Sequence, residues 1–144
     1  MQPKLAIRKE AYDQWLEHCM ALAPEEGCGL LFGSAEGESG WVIERFRPIP
    51  NVASEPRAAF RMCPQTTTAV LFEEKAQGAV LAGIAHSHPF AAAVPSSADL
   101  QSAWHTVPSQ WIVSLASPSE PRARAYRYKG GTFQELPFTI IEPK

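Results

Sequence analysis

An α/β fold, a mixed β-sheet flanked by helices, is what this sequence predicts, and three observations predict it. Two segments carry apolar residues or end signals at helical spacing, and six short segments have strand composition between turn residues. One of the six, "AVLAGIAH" (79–86), is a continuous apolar run between turn signals, which fits a strand covered on both faces better than a half-exposed one, with a short buried helix as its second reading. Helices on either side of a sheet supply that cover.

From Glu10 to Ala23 the residues Tyr12, Trp15, Leu16, Cys19 and Met20 share one helical face, and Pro24 ends the segment. "CGLLFG" (28–33) and "WVIERFRPI" (41–49) come next as strands, joined by "SAEGESG" (34–40), whose polar residues and glycines suit a hairpin. A second helix starts at Pro64, a favoured first-turn residue, and runs to Lys75, with Gly78 beyond it as a stop. "AVLAGIAH" is then the buried strand. "SADLQSAWH" (97–105) predicts a short helix, and "WIVSLAS" (111–117), "RARAYRYK" (122–129) and "TFQELPFTII" (132–141) predict three closing strands. With no internal repeat or linker, residues 1–144 read as a single domain.

Composition narrows the function classes. A net charge of -2 without any lysine or arginine run gives no footprint for a phosphate backbone, so nucleic acid is not expected as a partner. The charged N-terminus leads into no apolar core, and no run of eighteen apolar residues exists, so no membrane segment is expected and the predicted location is the cytoplasm. Cys19, Cys28 and Cys63 form no CxxC pair and read as small buried hydrophobes. Trp15, Trp41, Trp104 and Trp111 are scattered, which suits core packing better than base stacking.

The stretch that carries chemistry is "HSHPFAAAVPSSAD" (86–99), which holds two of the chain's four histidines. On extended backbone, side chains at i and i+2 leave from one face, so His86 and His88 can approach one ion together. Asp99, eleven residues past His88, can be the third ligand if the chain turns back through its prolines and small residues. Three protein ligands and one open position are the arrangement of a catalytic zinc site. The bland alternative is a helix start, with Ser96 or Ser97 as N-cap and Asp99 as first-turn acid. A base is also needed to move the proton of the attacking water, and the carboxylates of "PEEGCG" (24–29) can supply it.

"HSHP" followed by "PSSAD" resembles the signature of the JAMM (MPN-plus) metallopeptidases, in which H-x-H-P, a spacer and P-S-x-x-D carry a catalytic zinc. "PEEGCGLLFG" resembles the family's glutamate segment, and "PIPNVASEPRAAFRM" and "YRYKGGTFQELPF" resemble further segments of its bacterial stand-alone members. The resemblance implies a JAMM/MPN, cytidine deaminase-like architecture. It implies His86, His88 and Asp99 as ligands of Zn2+, Glu26 as acid–base with Glu25 as competitor, and Ser96 as the hydroxyl that assists the oxyanion. It further implies a peptidase that cuts after the C-terminal Gly-Gly of a ubiquitin-like sulfur-carrier protein.

Two alternatives remain open at this level: a non-catalytic scaffold on the same fold, and a zinc deaminase. The second lacks its H-x-E and P-C-x-x-C strings here. Three further residues take structural readings. His18 is expected to be solvated and His105 to be packing or surface. Asn51 is expected to stabilise its loop as an Asx turn, with contact to backbone near the site as its second reading.

Overall fold

The computed structural model describes residues 4–38 and 40–143. Among the described residues eight strands form one sheet. They are β1 (Leu5–Arg8), β2 (Cys28–Glu36), β3 (Gly40–Ile49), β4 (Val80–His88), β5 (Gln110–Ser114), β6 (Arg122–Lys129), β7 (Thr132–Leu136) and β8 (Phe138–Ile141). The helices are α1 (Lys9–Leu22), α2 (Pro64–Ala76) and α3 (Ser97–Leu100). The strand order is β7-β6-β5-β4-β2-β3-β1-β8, mixed as expected: β4 runs parallel to β5 and antiparallel to β2.

Each face of the sheet has its own core. On one side Trp15 and Cys19 of α1 pack with Leu31, Ile43, Ala85 and Trp111. On the other, Val70 of α2 packs with Leu30, Phe32, Ile49 and Ile84. β4, between them, is buried from Ala82 to His88, which is why its sequence shows no alternation.

Four local expectations are corrected. β1 lies outside the six predicted strands; its four residues are too few to show a period, and pairing with β3 and β8 creates it. β2 continues to Glu36, three residues into the predicted loop, because the hairpin turns tightly at Gly37, whose φ of 67° suits a residue without Cβ. α3 stops at Leu100 rather than His105. "TFQELPFTII" divides at Pro137, which cannot donate to a ladder, and its halves lie at opposite edges of the sheet. Consecutive Cα atoms are about 3.8 Å apart, so edges joined through one residue must nearly touch, and the sheet curls around α1. Trp15 meets Trp111 at 6.2 Å and Tyr12 meets Phe138 at 6.4 Å inside that curl. Among the described residues no helix is long and apolar enough to cross a membrane.

α2 is tied to β3 by charge as well as by its apolar face. The Glu74 carboxylate, 2% exposed, accepts hydrogen bonds from Arg45 Nε at 2.9 Å and Arg47 Nη1 at 2.8 Å. Burial acts to raise its pKa, but the two guanidiniums outweigh burial and hold it below the ordinary carboxylate value. A depressed folded pKa means that the stabilisation is present above the unfolded value and lost as pH falls through the folded one. Glu74→Gln should therefore lower unfolding free energy by about 1–3 kcal/mol at pH 7, the worth of hydrogen bonds to a charged group. Urea titrations should show the gap between variant and wild type closing toward pH 3; a constant gap contradicts the assignment.

Candidate metal centre

The end of β4 does what its spacing predicts. His86 and His88 leave one face, and their Nε2 atoms lie 3.2 Å apart; Ser87, between them, faces the other way and is fully buried. The Ser87 hydroxyl accepts the Gly27 N–H at 2.9 Å, and its own N–H donates to the Gly27 carbonyl at 3.0 Å. This pair of bonds fastens the residues before β2 beside the histidines and so places Glu26, not Glu25, next to them. Glu26 points inward and is 5% exposed, whereas Glu25 is exposed. One ligand atom from each of Glu26, His86 and His88 falls within 4.8 Å of the others.

Asp99 closes the centre from the opposite side. α3 begins with a capping box: Ser96 Oγ accepts the Asp99 N–H at 3.1 Å, and Asp99 Oδ2 accepts the Ser96 N–H at 2.8 Å. The helix-start reading of "SSAD" and the converging-carboxylate reading hold together, because one carboxylate serves both. Its Oδ1 is 3.1 Å from His86 Nε2 and its Oδ2 is 3.2 Å from His88 Nε2. The His88 ring is oriented by Nδ1, which donates to the Ala92 carbonyl at 2.9 Å and so turns Nε2 inward toward Asp99 and His86. His86 packs under Phe60, ring centroids 4.3 Å apart, and its buried Nδ1 has no partner among the described residues.

These distances test whether a cation fits. Zinc bonded tetrahedrally at about 2.0–2.1 Å sets neighbouring donors about 3.3 Å apart. The two imidazole nitrogens lie 3.2 Å apart, close to that edge, and each has a different Asp99 oxygen within 3.1 to 3.2 Å, so either oxygen is near enough to complete the set. The donor set, two imidazoles and a carboxylate, also suits a borderline divalent ion.

The two carboxyls differ sharply in acidity. Burial pushes Glu26 up to about 7, with His88 pulling it down and the charge of Asp99 adding to the rise. Asp99 is also buried, yet hydrogen bonds from His86 and His88 hold it far below the usual carboxylate range. Burial lowers His86, whereas for His88 the bonds to Asp99 and Ala92 outweigh burial and raise it. The fold thus favours the ionised form of Asp99 and disfavours that of Glu26, which sets the two carboxyls apart in character. Two cavities open on the centre. Asp99 borders one of about 520 Å³, with Phe60, Thr67 and Trp104; Glu26 and His88 border the other, of about 410 Å³, with Arg57, Phe90 and Ser96.

The remaining residues sort differently from expectation in two places. His18 is half-buried against Phe46, with Nε2 enclosed, rather than solvated. Cys63 is half-buried, whereas Cys19 and Cys28 are buried thiols pushed up to about 12 by desolvation, as inert small hydrophobes should be. His105 stacks on Tyr128 at 3.7 Å, and its Nε2 lies 3.4 Å from the Asp99 carbonyl, so it touches the backbone of a converging residue without adding a ligand atom. Asn51 makes its Asx turn with Ala53 and also reaches the Glu26 backbone. Ser87 and Phe60 are not distinguished by the sequence alone. Ser87 is marked only by its position between the two histidines.

Comparison with known proteins agrees along almost the whole chain. The prokaryotic homologs of the JAB domain match residues 8–129. A desampylase of Haloferax volcanii is 30% identical over 142 residues, 95% of this chain and 96% of that protein. A probable TtuB-protein conjugate cleaving protease of Thermus thermophilus is 36% identical over 104 residues, 72% of this chain and 66% of that protein. The solution structure of a Desulfitobacterium hafniense protein superposes with a TM-score of 0.87 at 29% identity, covering 96% of this chain and 94% of its own.

Proposed function

The chain belongs to the prokaryotic JAB-domain family, and from that premise we propose that it is a zinc-dependent isopeptidase of the cytoplasm that removes groups joined to the C-terminal Gly-Gly of a ubiquitin-like sulfur-carrier protein. One observation carries the chemistry: two imidazoles and the Asp99 carboxylate meet at 3.1 to 3.2 Å beside a second buried carboxyl, that of Glu26. The names of the Haloferax and Thermus relatives, a desampylase and a conjugate-cleaving protease, support the substrate class.

His86, His88 and Asp99 would hold the zinc, which when bound supplies Lewis acidity to the carbonyl and to water. Glu26 accepts a proton from the attacking water and returns it to the departing amine as the C–N bond breaks, a double duty that a carboxyl near 7 can perform at neutral pH. Ser96, beside Glu26 and His88 in the cleft, donates its hydroxyl proton to the oxygen that gains charge. Its Oγ lone pair is already engaged by the Asp99 N–H, which leaves that proton free to point outward.

Ser96→Ala should lower turnover by about 10² to 10³, the usual worth of one oxyanion donor. It also removes an N-cap worth about 1 kcal/mol, so the melting temperature should fall modestly while the protein stays folded. Turnover equal to wild type rules out the oxyanion role. The activity itself is tested by incubating the zinc-loaded protein with a sulfur carrier extended beyond Gly-Gly, and with the carrier joined to a lysine, then weighing the products. Release of a carrier ending in Gly-Gly is the expected result; intact carrier in both reactions rejects the reading.

A further inference from the structure

Residues 52–61 form a strap between β3 and α2 that borders the centre. Its base is closed by the antiparallel bridge of Asn51 with Met62 and by the Val52 N–H donating to the Arg61 carbonyl at 2.8 Å. Phe60 of the strap covers His86, and Arg57 and Ala58 line the cleft beside Glu26. The strap and Glu26 are joined at two points. The Glu26 N–H donates to the Pro56 carbonyl at 2.7 Å, and the Glu26 carbonyl accepts from Asn51 Nδ2 at 2.9 Å.

Asn51 is the hub of this arrangement. Nδ2 also donates to the Ala59 carbonyl at 3.0 Å, while Oδ1 accepts from the Ala53 and Arg61 N–H groups, both at 3.0 Å. A carboxamide has two donor hydrogens and two acceptor lone pairs, so every capacity of the side chain is used on backbone. A loop-stabilising Asx turn needs only the bond from Ala53. The donor half does something else: it crosses to Glu26, 25 residues earlier in the chain.

We propose that Asn51 is a positioning residue for the reaction, its carboxamide locking the strap and the Glu26 backbone into one unit and so fixing the line along which the Glu26 carboxyl faces His86 and His88. The proposal rests on the reading of Glu26 as the proton carrier. A misplacement of about 1 Å at such a group costs on the order of 10² in rate, which is the scale on which a lost backbone anchor acts.

Two variants separate this role from plain loop stability. Asn51→Asp keeps the acceptor half but sets oxygen against the Glu26 and Ala59 carbonyls; Asn51→Ala removes all four bonds. Each is measured for kcat and KM on an isopeptide-linked carrier, for zinc content, and for hydrogen exchange of the Glu26 amide by NMR. In both, kcat should fall roughly 10- to 100-fold while KM stays within about threefold and zinc is retained. The Glu26 amide, which Asn51 does not itself touch, should exchange at least about tenfold faster, as expected when its partner strap loosens. A merely structural role lowers the melting temperature and frees the Ala53 and Arg61 amides, but leaves Glu26 exchange and kcat as in wild type; that result overturns the proposal. If Asn51→Ala does not fold, Asn51→Asp decides. If the wild-type protein cleaves no conjugate, the proposed activity fails on its own, and exchange at Glu26 alone decides for Asn51: acceleration supports the anchor and unchanged protection refutes it.

Discussion

Glu26→Gln should lower kcat for conjugate cleavage by about 10² to 10⁴, the range general acid–base catalysis supplies, with KM and zinc content little changed. Glutamine preserves the volume and both backbone bonds of Glu26, to Pro56 and Asn51, so the loss isolates the proton. The same substitution should make the chelated protein more stable. A buried carboxyl raised to about 7 is one whose charged form the fold disfavours. The native state then binds the proton more tightly than the unfolded chain, and the ionisation penalty grows from the unfolded value near 4.5 and levels off above about 7. Urea unfolding at pH 8 should favour Glu26→Gln by about 1–3 kcal/mol, a gap that closes toward pH 4. Lower turnover together with higher stability is the signature of a group strained for function. A variant that retains wild-type kcat, or that is destabilised at pH 8, contradicts the assignment.

His88→Ala should abolish stoichiometric zinc. The wild-type protein, loaded and dialysed, should retain about one ion per chain, as a site with three converging ligands does. Removing a direct ligand should cost affinity beyond the roughly 10- to 100-fold lost when only an outer partner of a ligand is removed. Binding to the folded state alone stabilises it by about 2.7 kcal/mol at a hundredfold excess over Kd, so zinc should raise the wild-type melting temperature by several degrees. That rise should vanish in His88→Ala and persist in His18→Ala, whose ring packs against Phe46 outside the centre. Elemental analysis and thermal melts check both. A wild-type protein that neither retains a divalent ion nor melts higher with one removes the basis for any metallopeptidase reading.

The parts of the site that depend on local geometry were legible. Extended backbone sends i and i+2 to one face wherever it occurs, so His86 and His88 could be paired from their spacing. The capping box at Ser96 and Asp99 also comes from residue type at fixed separation. The choice between Glu25 and Glu26 could not be made that way. It depends on Ser87 gripping both the N–H and the carbonyl of Gly27, a contact across 60 residues. The burial of His18 against Phe46 is likewise tertiary. In the fold, the long apolar run of β4 and the helix begun by Pro64 announced themselves, whereas β1 did not: four residues owe their strand geometry to β3 and β8, partners far away in sequence. Pro137 is visible as a break in a ladder, but only the curl of the sheet reveals that the two halves part company there.

That curl bears on how the protein is made. Of the described strands β8 is made after all the others, and it pairs in parallel with β1, which is made before them. Until it emerges, one edge of β1 carries unpaired amides and carbonyls, and Trp111 waits for Phe138, its neighbour at 4.7 Å. A nascent chain of this topology holds an open seam from the emergence of β1 until that of β8, an interval in which strand edges invite pairing with other molecules. His86 and His88 lie on β4, and Glu26 just ahead of β2, central strands that can pair much earlier, so ligand assembly need not wait for the seam to close.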